Sequence, residues 1–473
     1  MMFAVTVYHA FQISAQMRNR YLYITLLTML GFSAEATAQV LAGTPQLVVS
    51  ITVNQLRTDL LETYAPLYTQ DGLKRLMEQG MMFPYAHYDF TPVDATSASA
   101  SLQTGTTPYY HGVTGTEWMN RTTLRPQYIL DDQGQKLSPG QLMTSTIGDE
   151  LKIATKGQGK VISFATSAAC AILSAGHAAD GAVWIEKGQW QQSPYYKPAN
   201  QWLSWYVNQY LPTKDVNRSI TDLAIQCVEQ LGLGRDDQPD LLCVNYDMQS
   251  DGIGYQLMDH NIAALVKGIL GRISQDRVLF VLAGTTTTEE EQENENERYR
   301  IPTGKVYINR SANLLNMYLG AMYGSAQYVE TYYKNQIFLN QKVIEQKNLK
   351  RTEVLQLAQD FLSQLSGICQ VYTSHQLQTS DSEALRLIRN GYNKEKCGDL
   401  IVEVNPGWQL VNEETHQQTT SRAHVIPFPI ILFGSNIQAQ RVQTPVTAER
   451  VAPTIARAIR IRAPNACKAE PLF

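Results

Sequence analysis

The side chains able to do chemistry in this chain gather in a few places, the densest being Phe90–His111. Asp94 stands before Ala95 and Thr96, and Ser97, Ser99 and Ser101 follow before the turn Thr104-Gly105-Thr106-Thr107-Pro108. The pattern reads as a loop entering a helix of small residues. A hydroxyl at such a helix start is a nucleophile when a base or a metal ion activates it; otherwise it caps and packs the helix. Asp94, Asp251 and His177 are the groups that could serve Thr96 as acid or base. His87, His111 and His177 read more simply as hydrogen-bonded framework imidazoles, and His260 and His424 have no partner at useful spacing. Six cysteines are present, at 170, 227, 243, 369, 397 and 467, with no Cys-x-x-Cys pair and no Cys/His cluster of zinc spacing. Cys397 and Cys467 lie in polar stretches where an oxidising compartment would permit a bridge, but pairing cannot be read from sequence.

These groups need a scaffold, and the chain is long enough to build one. It has 473 residues, 44% hydrophobic and 17% charged, which suits a globular protein with a sizeable core. A net charge of −4 argues against nucleic acid as a partner, which would call for a basic stripe. Arg18 and Arg20, the apolar run Leu22–Phe32 and the small-residue site Ala36-Thr37-Ala38 read as a secretory signal, with the natural start at Met17 and the mature chain beginning at Gln39. The expectation is a periplasmic or secreted protein with residues 1–38 removed and no transmembrane span in the mature chain.

The apolar, β-branched run Gln46–Val53 and further strand-like stretches at Lys160–Ala165, Ala178–Glu186, Asp240–Asn245, Arg277–Ala283, Gly398–Val404 and Phe428–Phe433 alternate with helical patterns. That alternation predicts an α/β fold with a mostly parallel central sheet flanked by helices. Sites in such sheets lie beyond the carboxyl ends of the strands, so the loops after Val53, Ala165, Asn245 and Ala283 are the places to look. Two stretches read as insertions, about 187–218 and 306–395. The second is expected to be a helical cap, with Tyr328–Lys342 among its helices. The acidic stretch 284–299 reads as a solvated loop.

Several frames in this chain are specific. Asp71-Gly72-Leu73-Lys74-Arg75-Leu76, Thr104–Pro108 with His111-Gly112, Ala171-Ile172-Leu173-Ser174-Ala175-Gly176-His177 and Pro429-Ile430-Ile431-Leu432-Phe433-Gly434 together resemble the alkaline phosphatase superfamily. The resemblance covers about residues 46–460. It lies in the branch of secreted bacterial phosphatases with a threonine nucleophile, alongside the nucleotide pyrophosphatase/phosphodiesterases, and it implies an alkaline-phosphatase-like fold and a zinc pair on strand-end loops.

The same resemblance assigns positions to the catalytic groups, and this sequence departs from the family at nearly all of them. The nucleophile position falls on Ala95, with Thr96 one residue away as the alternative. The Lys-x-Arg pair that grips phosphoryl oxygens falls on Ser167 and Ala169. Zinc-ligand positions fall on Asn54, Tyr255, Gly284, Thr285 and Pro427; only Asp251 keeps a ligand-type residue. The departures lie in six separately anchored segments, so one register error does not produce them. The sequence is therefore expected to specify an exported pseudoenzyme with no catalytic or metal site and no cofactor, acting on an envelope protein or ligand whose identity it does not give. The alternative is a phosphomonoesterase or phosphodiesterase with a relocated site, in which zinc would be the cofactor. A third reading has Trp118, Trp184 and Tyr255 lining an emptied cleft for a neutral ligand.

Overall fold

The computed structural model describes residues 43–132, 134, 137–197, 200–285, 302–420 and 426–473. The segment read as a signal, most of the acidic stretch and His424 lie outside the described residues.

Strand β1 (Leu47–Asn54) is mostly apolar and buried on both faces, as expected of a strand between parallel neighbours. Its neighbours are β8 (Asp240–Asp247) and β9 (Val278–Gly284), both parallel to it. The sheet continues from β8 to β5 (Val161–Ala165), β6 (Gly181–Glu186) and the antiparallel β7 (Gln189–Gln192). On the other side β9 pairs antiparallel with β17 (Phe428–Gly434), and β17 with β2 (Met81–His87). The short strands β18 (Gln440–Arg441) and β19 (Val446–Thr447) complete the edge on β2. This is the α/β fold with a mostly parallel sheet that the sequence predicts.

Because strand side chains alternate, β1 supplies two cores. Leu47, Val49, Ile51 and Val53 face one layer, with helices α4 (Val216–Gln230) and α5 (Gly252–Leu270). Val48 faces the other, which holds α1 (Ala95–Thr104), α2 (Ile147–Ala154) and α8 (Val451–Ala458). The helix α3 (Ala168–Ala175) follows β5.

The second insertion departs from its sequence reading. Helices α6 (Ile308–Tyr323) and α7 (Arg351–Leu362) are present, but Tyr328–Lys342 is chiefly a hairpin of β11 (Val329–Tyr333) and β12 (Gln336–Leu339) rather than a helix. These strands join β13 (Ile368–Thr373) and β14 (Leu400–Val404) in the order β11-β12-β14-β13. A three-stranded sheet of β10 (Gly304–Tyr307), β15 (Trp408–Val411) and β16 (Gln418–Thr420) lies beside them. The insertion thus has its own α/β core. The aromatic and β-branched content of Val329–Tyr333 favours strand over helix. After α1, a hairpin of β3 (Glu117–Asn120) and β4 (Arg125–Tyr128) occupies part of the turn-rich stretch. No described helix is long and apolar enough to cross a membrane.

Candidate functional site at the carboxyl ends of the strands

Asn54 and Asp247 end β1 and β8 and are direct register partners. The Asn54 amide nitrogen donates to Asp247 Oδ1 at 2.9 Å, and its carbonyl oxygen accepts from Thr285 Oγ1 at 2.9 Å. Thr285 follows β9 directly, and its own N–H donates to Val53 O at 3.2 Å. One neutral side chain therefore joins the carboxyl ends of three adjacent strands. Beneath it Asn245 Oδ1 accepts from Ser174 at 3.1 Å and from Thr52 Oγ1, while its amide donates to Phe164 O. Asp247 was not singled out in the sequence; its role depends on a pairing between residues far apart in the chain.

At the nucleophile loop, Asp94 is the N-cap of α1. Its Oδ1 accepts from Ser97 N and Ser97 Oγ, both at 2.7 Å, and its Oδ2 accepts from Thr116 N at 3.2 Å. Ala95 is half-buried and presents only a methyl group. Thr96, the alternative nucleophile, is 4% exposed, and its hydroxyl lies 2.8 Å from that of Thr116. The Cys170 thiol sits 3.7 Å from Ala95 O, and burial raises its pKa, which makes it a poor nucleophile.

The remaining predicted positions hold structural contacts. Ser167 caps α3 by accepting from Cys170 N, and Ala169 is buried. Asp251 caps α5, accepting from Gly254 N at 2.7 Å. Tyr255 is fully buried; its hydroxyl accepts from Arg57 N at 2.8 Å and donates to Arg57 O at 3.2 Å. Gly284 accepts from the Tyr88 hydroxyl through its carbonyl, and a Cβ added there would lie 2.7 Å from Phe428 Cβ and 2.9 Å from Leu56 O. Pro427 contributes its carbonyl to Thr58 N.

The histidines behave as framework groups. His111 is fully buried, accepts from Val113 N at Nδ1 and faces Ser101 Oγ at 2.9 Å through Nε2. Burial, with Lys396 nearby, lowers its pKa to about 3, so the ring is neutral. His177 is the opposite case: Nδ1 meets Asp149 Oδ2 at 2.9 Å and Nε2 meets Leu142 O at 3.0 Å, and the Asp149 hydrogen bond raises its pKa. Trp118 and Trp184 are buried like Tyr255, so these rings do not line an open cleft. That removes the support for the neutral-ligand reading built on them. Cys397 and Cys467 are each free thiols.

A zinc pair needs carboxylate and imidazole donors converging on one point. Among the described residues no group of three or more His, Cys, Asp or Glu is placed to hold a metal ion. The residues at the positions matched to the family's ligands do not fit one. Asn54 has both ends of its amide engaged, Tyr255 is turned to backbone, and Gly284 and Pro427 carry no donor side chain.

The sequence profile of the type I phosphodiesterase / nucleotide pyrophosphatase family matches residues 48–426. The chain belongs to that family, within the alkaline phosphatase superfamily. Among its relatives, a calcium-transporting ATPase of Myroides odoratus is 25% identical over 89% of this chain and 93% of its own length. Alkaline phosphatase PafA of Elizabethkingia meningoseptica is 22% identical over 90% and 94%. The crystal structure of wild-type alkaline phosphatase PafA superposes with a TM-score of 0.77 at 20% identity, covering 90% of this chain and 98% of that one. Murine ectonucleotide pyrophosphatase / phosphodiesterase 5 superposes with a TM-score of 0.54 at 12% identity, over 88% and 95%. These likenesses bear out the fold and superfamily that the sequence frames imply.

Proposed function

We propose that this chain is an exported, non-hydrolytic member of its family that works by binding, in the cell envelope or outside the cell. The observation that carries this reading is the Asn54 amide, hydrogen-bonded on one side to Asp247 and on the other to Thr285. In-line displacement at phosphorus needs an activated oxygen and a positive cradle for the oxygens that gain charge. Around Ala95 the matched positions supply a methyl group, a serine that caps a helix and a buried alanine. The segment before Gln39, with its basic start and small-residue cleavage site, supports export.

The competing reading is a hydrolase built on Thr96, Asp94 and Asp251. Its three residues stand against it: Thr96 is buried on Thr116, and the two carboxylates cap different helices.

The test is hydrolysis of 4-nitrophenyl phosphate by purified wild type and Ala95→Thr, each with and without added zinc. Both are expected to stay at the buffer rate. Zinc-dependent turnover by the wild type, abolished in Thr96→Ala, would establish the hydrolase instead.

A further inference from the structure

A cavity of about 380 Å³ lies between the loop that leads into α1 and the inserted sheets. It opens to solvent and has room for roughly a dozen waters. It is within the size range of small-molecule sites, which have largely apolar walls and a few placed polar groups. Its floor includes Pro92 and Asp94; its walls come from β14, β15 and the β11–β12 turn, with Ile401, Val404 and Leu410 as apolar surface.

The charges along this lining are unequal in their surroundings. Glu403 lies on β14 between buried residues, and burial raises its pKa. Its Oε2 accepts from the Tyr372 hydroxyl at 3.1 Å, and it has no cationic partner among the described residues. Asp94 also borders the cavity, but Ser97 and Thr116 already occupy its oxygens. Lys334, the one cation on the lining among the described residues, is exposed at the tip of the β11–β12 turn with its ammonium over the Tyr333 ring. The lining therefore offers a partly buried carboxylate with spare acceptor capacity, apolar walls and a hydrated cation.

We propose that this cavity is a binding site for a small organic cation: an apolar body carrying one ammonium group, the body against Ile401, Val404 and Leu410 and the ammonium on Glu403. Partial burial disfavours the charged form of Glu403, and a ligand ammonium supplies the missing positive charge. The site is separate from the strand ends and stands whether or not those ends are catalytically inert.

Calorimetric titration with 2-phenylethylamine, and with phenylacetate as its counterpart of opposite charge, tests this. The amine should bind saturably and phenylacetate much more weakly. Glu403→Gln should weaken the amine roughly tenfold, the size of one hydrogen bond to a charged group, with the melting temperature near that of the wild type. Leu410→Trp, which fills the cavity, should abolish amine binding. Equal binding of the two probes, no saturable binding up to about 10 mM, or unchanged amine affinity in either variant would overturn the proposal.

Discussion

The amide of Asn54 donates to the carboxylate of Asp247 across 2.9 Å, at the ends of two strands that are partners in register. A carboxylate at position 54 would face Asp247 with like charge, and the arrangement would then need a cation between them. The asparagine makes the junction stable without one.

Asn54→Asp should therefore destabilise the protein by about 0.5–1.5 kcal/mol, the loss of one hydrogen bond and the gain of a solvent-screened repulsive pair. Thermal melts with EDTA and with millimolar zinc or calcium check this. The wild-type midpoint should be the same in all three; the variant should melt lower in EDTA and recover part of the loss with metal. A variant as stable as wild type in EDTA would contradict the role given to the amide.

Asp94 reads as a helix cap rather than a general base. Asparagine caps about as well as aspartate, whereas alanine costs about 0.5–2 kcal/mol. Asp94→Asn should keep the cap to Ser97 but lose the bond from Thr116 N, and so fall between wild type and Asp94→Ala, as measured by urea midpoints. Equal losses in both variants would show that the negative charge matters beyond the cap.

Glu449 gives a pH signature. It is buried, with Oε1 accepting from Asp89 N at 3.1 Å. Burial raises its pKa to about 7. A raised carboxylate binds its proton more tightly in the folded state, so its penalty is absent below the ordinary Glu range and complete above about 7. Glu449→Gln should match the wild type near pH 4.5 and become more stable than it by on the order of 3 kcal/mol at pH 8. A stability difference that does not change between these pH values would refute the assignment.

Much of the fold is legible because the central strands are short runs rich in apolar residues, as in β1 and β9. β2 was hidden: Met81–His87 has no β-branched residue and contains Pro84, and the helical pattern before it runs into its start. β11 and β12 were misread because Tyr-rich stretches fit either period until their pairing is known. The residue types at the candidate site could be read directly from the motif frames. Their partners could not. Asp247 meets Asn54 only through strand register, and Gly284 is closed by Phe428, a residue distant in sequence. That closure also means an acidic ligand at position 284 requires movement of the Phe428 strand, so a single substitution there does not rebuild a metal site.

The most direct test of the central claim is elemental analysis of the purified, full-length protein after equilibration with micromolar zinc and desalting. A chain whose strand ends are joined by a neutral amide should retain less than about one zinc per ten molecules, because no carboxylates and imidazoles converge among the described residues. Retention of about two zinc ions per chain, as a two-metal phosphoryl-transfer site requires, would contradict the account.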